Sequence, residues 1–309
     1  MRVAAAQLSP AYLDRAATLD RVSKAITDAA NEGATLLAFP ETFVPGYPSW
    51  ADYTHASYFD HPDQKTAWAR YIDQAVDPRA GHLDQVVSAV ADSGTFTYLG
   101  IVERAPSNGS VYASLVAIHP RDGIVSIHRK LKPTYGERLM WADGDGAGLV
   151  AHQWDGAVVS GLNCWENWMP LARTAMYAQG TQVHVAAWPG SPATSHDISR
   201  FIAREGRVFV VSTGAVLRAQ DIPEDFVLRD AMVEETSTFS TGGAIIVAPD
   251  GSTLAEAEPG VETIIYADVD LEMVARERHN FDPTGHYSRP DVLRLMVNRE
   301  RRGPAEFID

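Results

Sequence analysis

The sequence predicts an α/β fold in which two similar halves bring their sheets face to face and leave their helices outside. Three observations predict it: apolar runs alternate with helical periodicity, no low-complexity linker divides the chain, and a hairpin-like unit in the first half is echoed in the second. Arg2–Leu8 reads as a strand, and Ala17, Val22, Ala25, Ile26 and Ala29 then fall on one helical face. Thr35–Phe39 is a second buried run ending in Pro40-Glu41. The proline stops ladder pairing there and leaves the glutamate at the carboxyl end of a strand, where α/β sheets usually bind ligands. Leu83, Val86, Val87 and Val90 mark another helix. Strands are expected near Phe96–Val102, Val111–Ile118 and Ile124–His128, with turns at Asn108-Gly109 and Arg121-Asp122-Gly123. Val158–Leu162 and Val183–Trp188 read as buried strands around a helix from Met169 to Gln179, and Ser199–Phe209 reads as a helix before Val210–Thr213. Ala244–Ala248, Pro249-Asp250-Gly251 and Ile264–Val269 make the hairpin-like unit that echoes the one at Asp122-Gly123. Ala51–Asp63 and Ala219–Ser240 read as long irregular stretches, the kind that serve as lids, binding elements or subunit contacts. One domain over residues 1–309 is expected, with a short tail over 299–309.

Composition narrows the function. With 26 Lys+Arg against 40 Asp+Glu, the net charge of −14 disfavours nucleic acid and anionic membrane surfaces as partners and suits a small neutral substrate. Hydrophobic residues at 45% describe a folded globular chain. The single cysteine cannot form an internal disulfide, and Met1–Leu8 reads as a strand, not a signal peptide or membrane span, so a cytoplasmic protein is expected.

That cysteine, Cys164, ends a strand just before helical periodicity resumes. A strand-to-helix turn exposes a nucleophile, and the neighbouring backbone N–H groups favour its thiolate; a lone cysteine can equally be buried and inert. A cysteine nucleophile needs a base. None of the ten histidines announces itself: His128, His184, His279 and His286 all read as structural, and no His or Cys spacing marks a metal site. Glu41, in an apolar strand-end setting, would have its proton affinity raised and could act as base, or it could be an ordinary cap or surface acid. Lys130 could point into the same crevice or be a solvated strand-end lysine. Glu137 is equally open, because Arg138 could pair with it on the surface.

The motifs say more than the spacing. Phe39-Pro40-Glu41-Thr42-Phe43-Val44-Pro45-Gly46-Tyr47-Pro48 resembles the first signature of the nitrilase branch of the carbon–nitrogen hydrolase superfamily. His128-Arg129-Lys130-Leu131-Lys132-Pro133-Thr134, followed by Glu137, Trp141 and Gly144-Asp145-Gly146, resembles the second, and Gly161-Leu162-Asn163-Cys164-Trp165-Glu166-Asn167 the third. Ala187-Trp188-Pro189 and His286-Tyr287-Ser288-Arg289-Pro290-Asp291 extend the likeness over almost the whole chain.

The resemblance implies an αββα sandwich and a catalytic set of Glu41, Lys130, Glu137 and Cys164, with no cofactor and no metal. It also implies hydrolysis of a small organic nitrile to the acid and ammonia, by a homo-oligomer built on dimers. An amidase, an N-carbamoyl hydrolase or a cyanide-degrading enzyme could use the same four groups, and a catalytically silent scaffold of this fold is a further alternative. Tyr47, Trp141, Trp165 and Trp188 lie near the catalytic groups in sequence and are expected to line a substrate pocket or else to pack the core, while Asn163 and Glu166 are expected to support the elbow around Cys164.

Overall fold

The computed structural model describes residues 1–106 and 109–303, so the expected turn residue Asn108 and the tail from 304 onward lie outside the described residues. Two six-stranded sheets organise the chain. From edge to edge the first contains Thr263–Asp268, Arg2–Gln7, Leu36–Ala38, Phe96–Arg104, Val111–His119 and Gly123–Arg129. The second contains His152–Trp154, Ala157–Asn163, Val183–Trp188, Phe209–Gly214, Ile245–Val247 and Thr253–Glu256. Read in this order, both sheets pair antiparallel, parallel, parallel, antiparallel, antiparallel. The internal echo in the sequence is therefore a repeat of topology.

Alternation along the strands builds the layers. Val3 and Ala5 pack with Val159, Val185 and Val211 between the two sheets, whereas Ala4 and Ala6 face outward onto Leu19, Val22 and Ile26 of the helix Arg15–Asn31. Both faces of the central strands are thus buried, which is why they read as continuous apolar runs. The outer face of the second sheet packs on Ile198, Ile202 and Ala203 of the helix Pro192–Gly206. The order is helix, sheet, sheet, helix. Among the described residues, no helix is long and apolar enough to cross a membrane.

Several expectations are corrected. The helix expected at Ser199–Phe209 begins at Pro192 and ends at Gly206, where Arg207 turns to φ 50°. Proline is pre-organised for the first helical turn, so the start lies upstream of the apolar periodicity. The stretch Ala51–Asp63 is not wholly irregular: it follows from Trp50–Tyr53 and runs into the helix Pro62–Gln74, whose buried positions are only Ala67 and Tyr71. Ala219–Ser240 contains the helix Arg229–Glu235 and most of the strand Thr238–Thr241, which pairs with Val216–Arg218. The expected partner of Ala244–Ala248 also differs. Ile245–Val247 pairs with Thr253–Glu256, while Thr263–Asp268 crosses to the first sheet and pairs with Arg2–Gln7. Thr253–Glu256 is a mostly exposed edge strand, so it has no apolar alternation to reveal it.

Candidate active site

The site forms at the carboxyl ends of parallel strands from both sheets, and each of its four groups is set by a local device. Glu41 sits in a turn after Leu36–Ala38, with Phe39 N–H bonded to Tyr98 O and its own N–H bonded to Trp188 O across the sandwich at 3.2 Å. Gly100 makes the turn possible, since a Cβ there would meet Pro40 O at 1.9 Å. Lys130 directly follows Gly123–Arg129, and Glu137 lies in the 3-10 turn Tyr135–Leu139. Cys164 follows Ala157–Asn163 at φ 47°, a left-handed elbow, and opens the 3-10 turn Cys164–Trp168. The helix proper, Pro170–Tyr177, starts beyond it.

These four side chains meet. An oxygen or sulfur of Glu41, Glu137 and Cys164 lies within 4.8 Å of the other two. Lys130 Nζ stands among them, donating to Glu137 Oε2 at 2.6 Å and lying 2.9 Å from Glu41 Oε1. The cation of this acid-and-thiol cluster is therefore the lysine's own ammonium. Glu41 and Lys130 are each 1% exposed and Cys164 2%. Glu137 is not paired with Arg138 on the surface; it accepts from Lys130, from Thr134 N–H at 2.6 Å and from Tyr47 Oη at 3.2 Å, whereas Arg138 donates to Pro133 O. The contact with Glu41 is closer to a bare charge contact. It lacks hydrogen-bond alignment, and neither Glu41 oxygen has a donor among the described residues.

Burial governs the protonation states. It raises the Glu41 carboxyl to about 8, against the attraction of Lys130 and with help from the repulsion of Glu137. Burial likewise pushes the Cys164 thiol well up, opposed chiefly by Lys130 and also by the Trp165 N–H. Burial works against the Lys130 ammonium too, but Cys164, Glu41 and Glu137 together hold it above its ordinary value. The lysine remains charged, and Glu137 balances it. The thiol and the carboxyl are thus both held toward their protonated forms and repel each other as anions, while Lys130 favours the ionised form of each.

A second set of side chains holds the elbow. Glu166 is buried and accepts from Asn163 N–H, from Leu131 N–H and from His128 Nε2, so one carboxylate ties the Cys164 turn to the segment carrying Lys130. That is the supporting role expected of it, whereas both polar side-chain atoms of Asn163 have no partner among the described residues. Asn167 Nδ2 donates to Cys164 O and Leu162 O, and His184 bridges Asn167 Oδ1 to Ser160. Burial lowers His184 to about 3, which leaves it neutral and structural, as its place in a buried strand suggests.

The sulfur opens into a cavity of about 250 Å³. Tyr47 and Trp165 line it; Trp141 and Trp188 do not. Trp141 lies against the site from behind, with its ring 5.5 Å from Lys130 Nζ, its edge on Tyr47 and its Nε1 donating to Tyr71 Oη. Trp188 is buried in the strand, and its carbonyl is what receives the Glu41 N–H. Sequence reasoning missed the rest of the wall: Asp52, Tyr53, Tyr135, Thr194 and Phe239 all border the cavity. They come from separate elements, Asp52 and Tyr53 from Trp50–Tyr53, Thr194 from Pro192–Gly206 and Phe239 from Thr238–Thr241, and only the Tyr135-Gly136 pair beside Glu137 carried a local signal.

Known proteins match this architecture. The family model described as Carbon-nitrogen hydrolase matches residues 2–278. An aliphatic nitrilase of Sinorhizobium fredii (strain HH103) is 36% identical over 299 residues, covering 97% of this chain and 96% of that protein. An aliphatic nitrilase of Rhodococcus rhodochrous is 37% identical over 322 residues, covering 98% and 84%. Among solved structures, the carbon–nitrogen hydrolase of Helicobacter pylori G27 superimposes with a TM-score of 0.71 at 17% identity, covering 96% of this chain and 99% of that one. With a family match over nearly its whole length and relatives of this identity and coverage, the chain belongs to the carbon–nitrogen hydrolase family.

Proposed function

We propose that the protein is a nitrilase that hydrolyses a small organic nitrile to the carboxylic acid and ammonia through a covalent intermediate on Cys164. The observation that carries this is a buried thiol, open to a cavity, that clusters with a high-affinity carboxyl and a charge-balanced ammonium. The aliphatic nitrilases it resembles supply the substrate class.

Glu41 takes the Cys164 proton as sulfur attacks the nitrile carbon. The proton passes to the nitrogen, giving a thioimidate. Lys130 and the Trp165 N–H stabilise the charge developing in this step, the kind of contribution worth about 10²–10³ in rate for a single donor. Water, deprotonated by Glu41, adds to the thioimidate carbon. The carbon–nitrogen bond breaks, ammonia leaves with the returned proton, and a thioester remains. A second water releases the acid and restores the thiol, so two waters are consumed for each nitrile. Glu137 keeps Lys130 in place and keeps its charge tolerable in a buried setting. Product analysis tests the substrate class: the expected result is free acid and ammonia in equal amounts from an aliphatic nitrile. Turnover of amides alone would make the protein an amidase using the same groups.

The same proposal includes a homo-oligomer built on dimers, working in the cytoplasm, where a lone thiol stays reduced. What supports association is an exposed apolar surface in which Trp165 and Trp168 stack at 5.6 Å, continued by Met169 and Leu171 and accompanied by exposed Phe201 on a nearby helix. Sedimentation is expected to give a dimer or a multiple of it, and a monomer at micromolar concentration would remove this part.

A further inference from the structure

The cavity has a charge that the reaction does not use. Asp52, in the short helix Trp50–Tyr53, lines the same cavity as Cys164 and Glu137. Tyr135, at φ 42°, turns the opposite wall toward it, and Gly136 leaves it room, since a Cβ there would stand 3.2 Å from Asp52 Oδ1. Glu137 is balanced by Lys130, but nothing balances Asp52. Among the described residues, no lysine or arginine lines this cavity. Arg138 borders an outer groove that Asp52 also reaches, and its guanidinium donates to the Pro133 carbonyl. Partial burial and the neighbouring Glu137 raise the Asp52 carboxyl, and no partner lowers it, as expected for an anion without a counter-ion.

An uncompensated carboxylate on the wall of a small cavity, though itself exposed, attracts a cation and repels an anion that enters beside it. The net charge of −14 adds to the same field at longer range. The geometry points to Asp52 as a charge-selecting residue: the preferred substrates carry a cationic or strongly donating group, such as an ammonium, at the end remote from the carbon–nitrogen bond, and carboxylate-bearing ones are rejected. This deepens the nitrilase reading and rests on it for the reacting group, but not for the charge preference.

The test compares kcat/KM for ω-aminovaleronitrile, its neutral isostere hexanenitrile, and the anionic γ-cyanobutyrate, in the wild type, Asp52→Asn and Asp52→Glu. The readouts are the cation-to-neutral and anion-to-neutral ratios within each protein, so a variant that lowers every rate by imperfect folding does not disturb them. A charged hydrogen bond in such a setting corresponds to about tenfold. In the wild type, the cation is therefore expected to exceed the neutral nitrile by about that factor. Asp52→Asn should bring this ratio near parity and raise the anion ratio by a similar factor, while Asp52→Glu retains the wild-type order. Ratios equal in wild type and Asp52→Asn, or a wild-type preference for the anion, would overturn the assignment. If hexanenitrile is not hydrolysed and hexanamide is, the nitrilase reading fails while the same ratios on the matching amides still decide Asp52. Equilibrium binding of the three nitriles to a Cys164→Ala protein reads the same order without turnover.

Discussion

Cys164→Ala is expected to lower ammonia release by about 10⁴–10⁶-fold, the scale seen when a nucleophile is removed from an enzyme that depends on covalent catalysis. The fold should survive. The elbow is held by Glu166 and Asn167 through backbone atoms, and among the described residues the sulfur has no hydrogen-bond partner beyond the Trp165 N–H. Alanine at φ 47° carries no more strain than cysteine does there. Cys164→Ser is expected to be nearly as inactive: a hydroxyl holds its proton far more tightly than a thiol, so a carboxyl base removes it far less readily. Intact mass after mixing with substrate provides an independent check, with an adduct on the wild type and none on either variant. Ammonia release within tenfold of normal in Cys164→Ala would end the covalent mechanism.

What made the site readable from sequence, and what did not, follows from how far apart its parts lie. The central strands were legible because both faces are buried, so Val3–Ala6 is apolar without interruption and Val183–Trp188 is broken only by His184. The helix Pro62–Gln74 was not, because it buries little beyond Ala67 and Tyr71 and offers no broad apolar stripe. Lys130 taken alone looked like a solvated strand end. Only the folding of the first sheet, which brings the ends of Leu36–Ala38 and Gly123–Arg129 and the turn Tyr135–Leu139 together, puts it under Trp141 and between two carboxylates. Motif order carried that long-range information where local spacing could not. The substrate wall escaped for a related reason: Asp52, Thr194 and Phe239 are distant in sequence, on two helices and a strand that only the folded chain brings onto one surface. Trp141 and Trp188, near the chemistry in sequence, lie behind the cavity because their rings are needed as packing around the buried charges.

Glu41→Gln separates catalysis from stability, and the two should move in opposite directions. Without the carboxyl, the other acid clustered with the sulfur is Glu137, already engaged by Lys130, Thr134 N–H and Tyr47, so turnover is expected to fall by about 10²–10⁴-fold, the range of a general base. Stability should change with the opposite sign, in a pH-dependent way. The Glu41 carboxyl ionises at about 8 in the folded chain against an ordinary 4.5, because burial and Glu137 outweigh Lys130. Between those values the folded state keeps a proton that the unfolded state has lost, so wild-type stability declines as pH rises through this window. Glutamine does not titrate, and Lys130 retains its 2.6 Å partner Glu137. The Tm difference, variant minus wild type, should therefore be more positive at pH 8 than at pH 5, by several degrees on the usual scale for a domain of this size. Each half has its own failure: turnover within tenfold of wild type would place the base elsewhere, and a Tm difference that does not grow with pH would mean that Glu41 is ionised at little cost. A glutamate that destabilises the fold at the pH where it works is the signature of a group kept for chemistry, since a carboxylate serving structure would have been given the donors that Glu41 lacks.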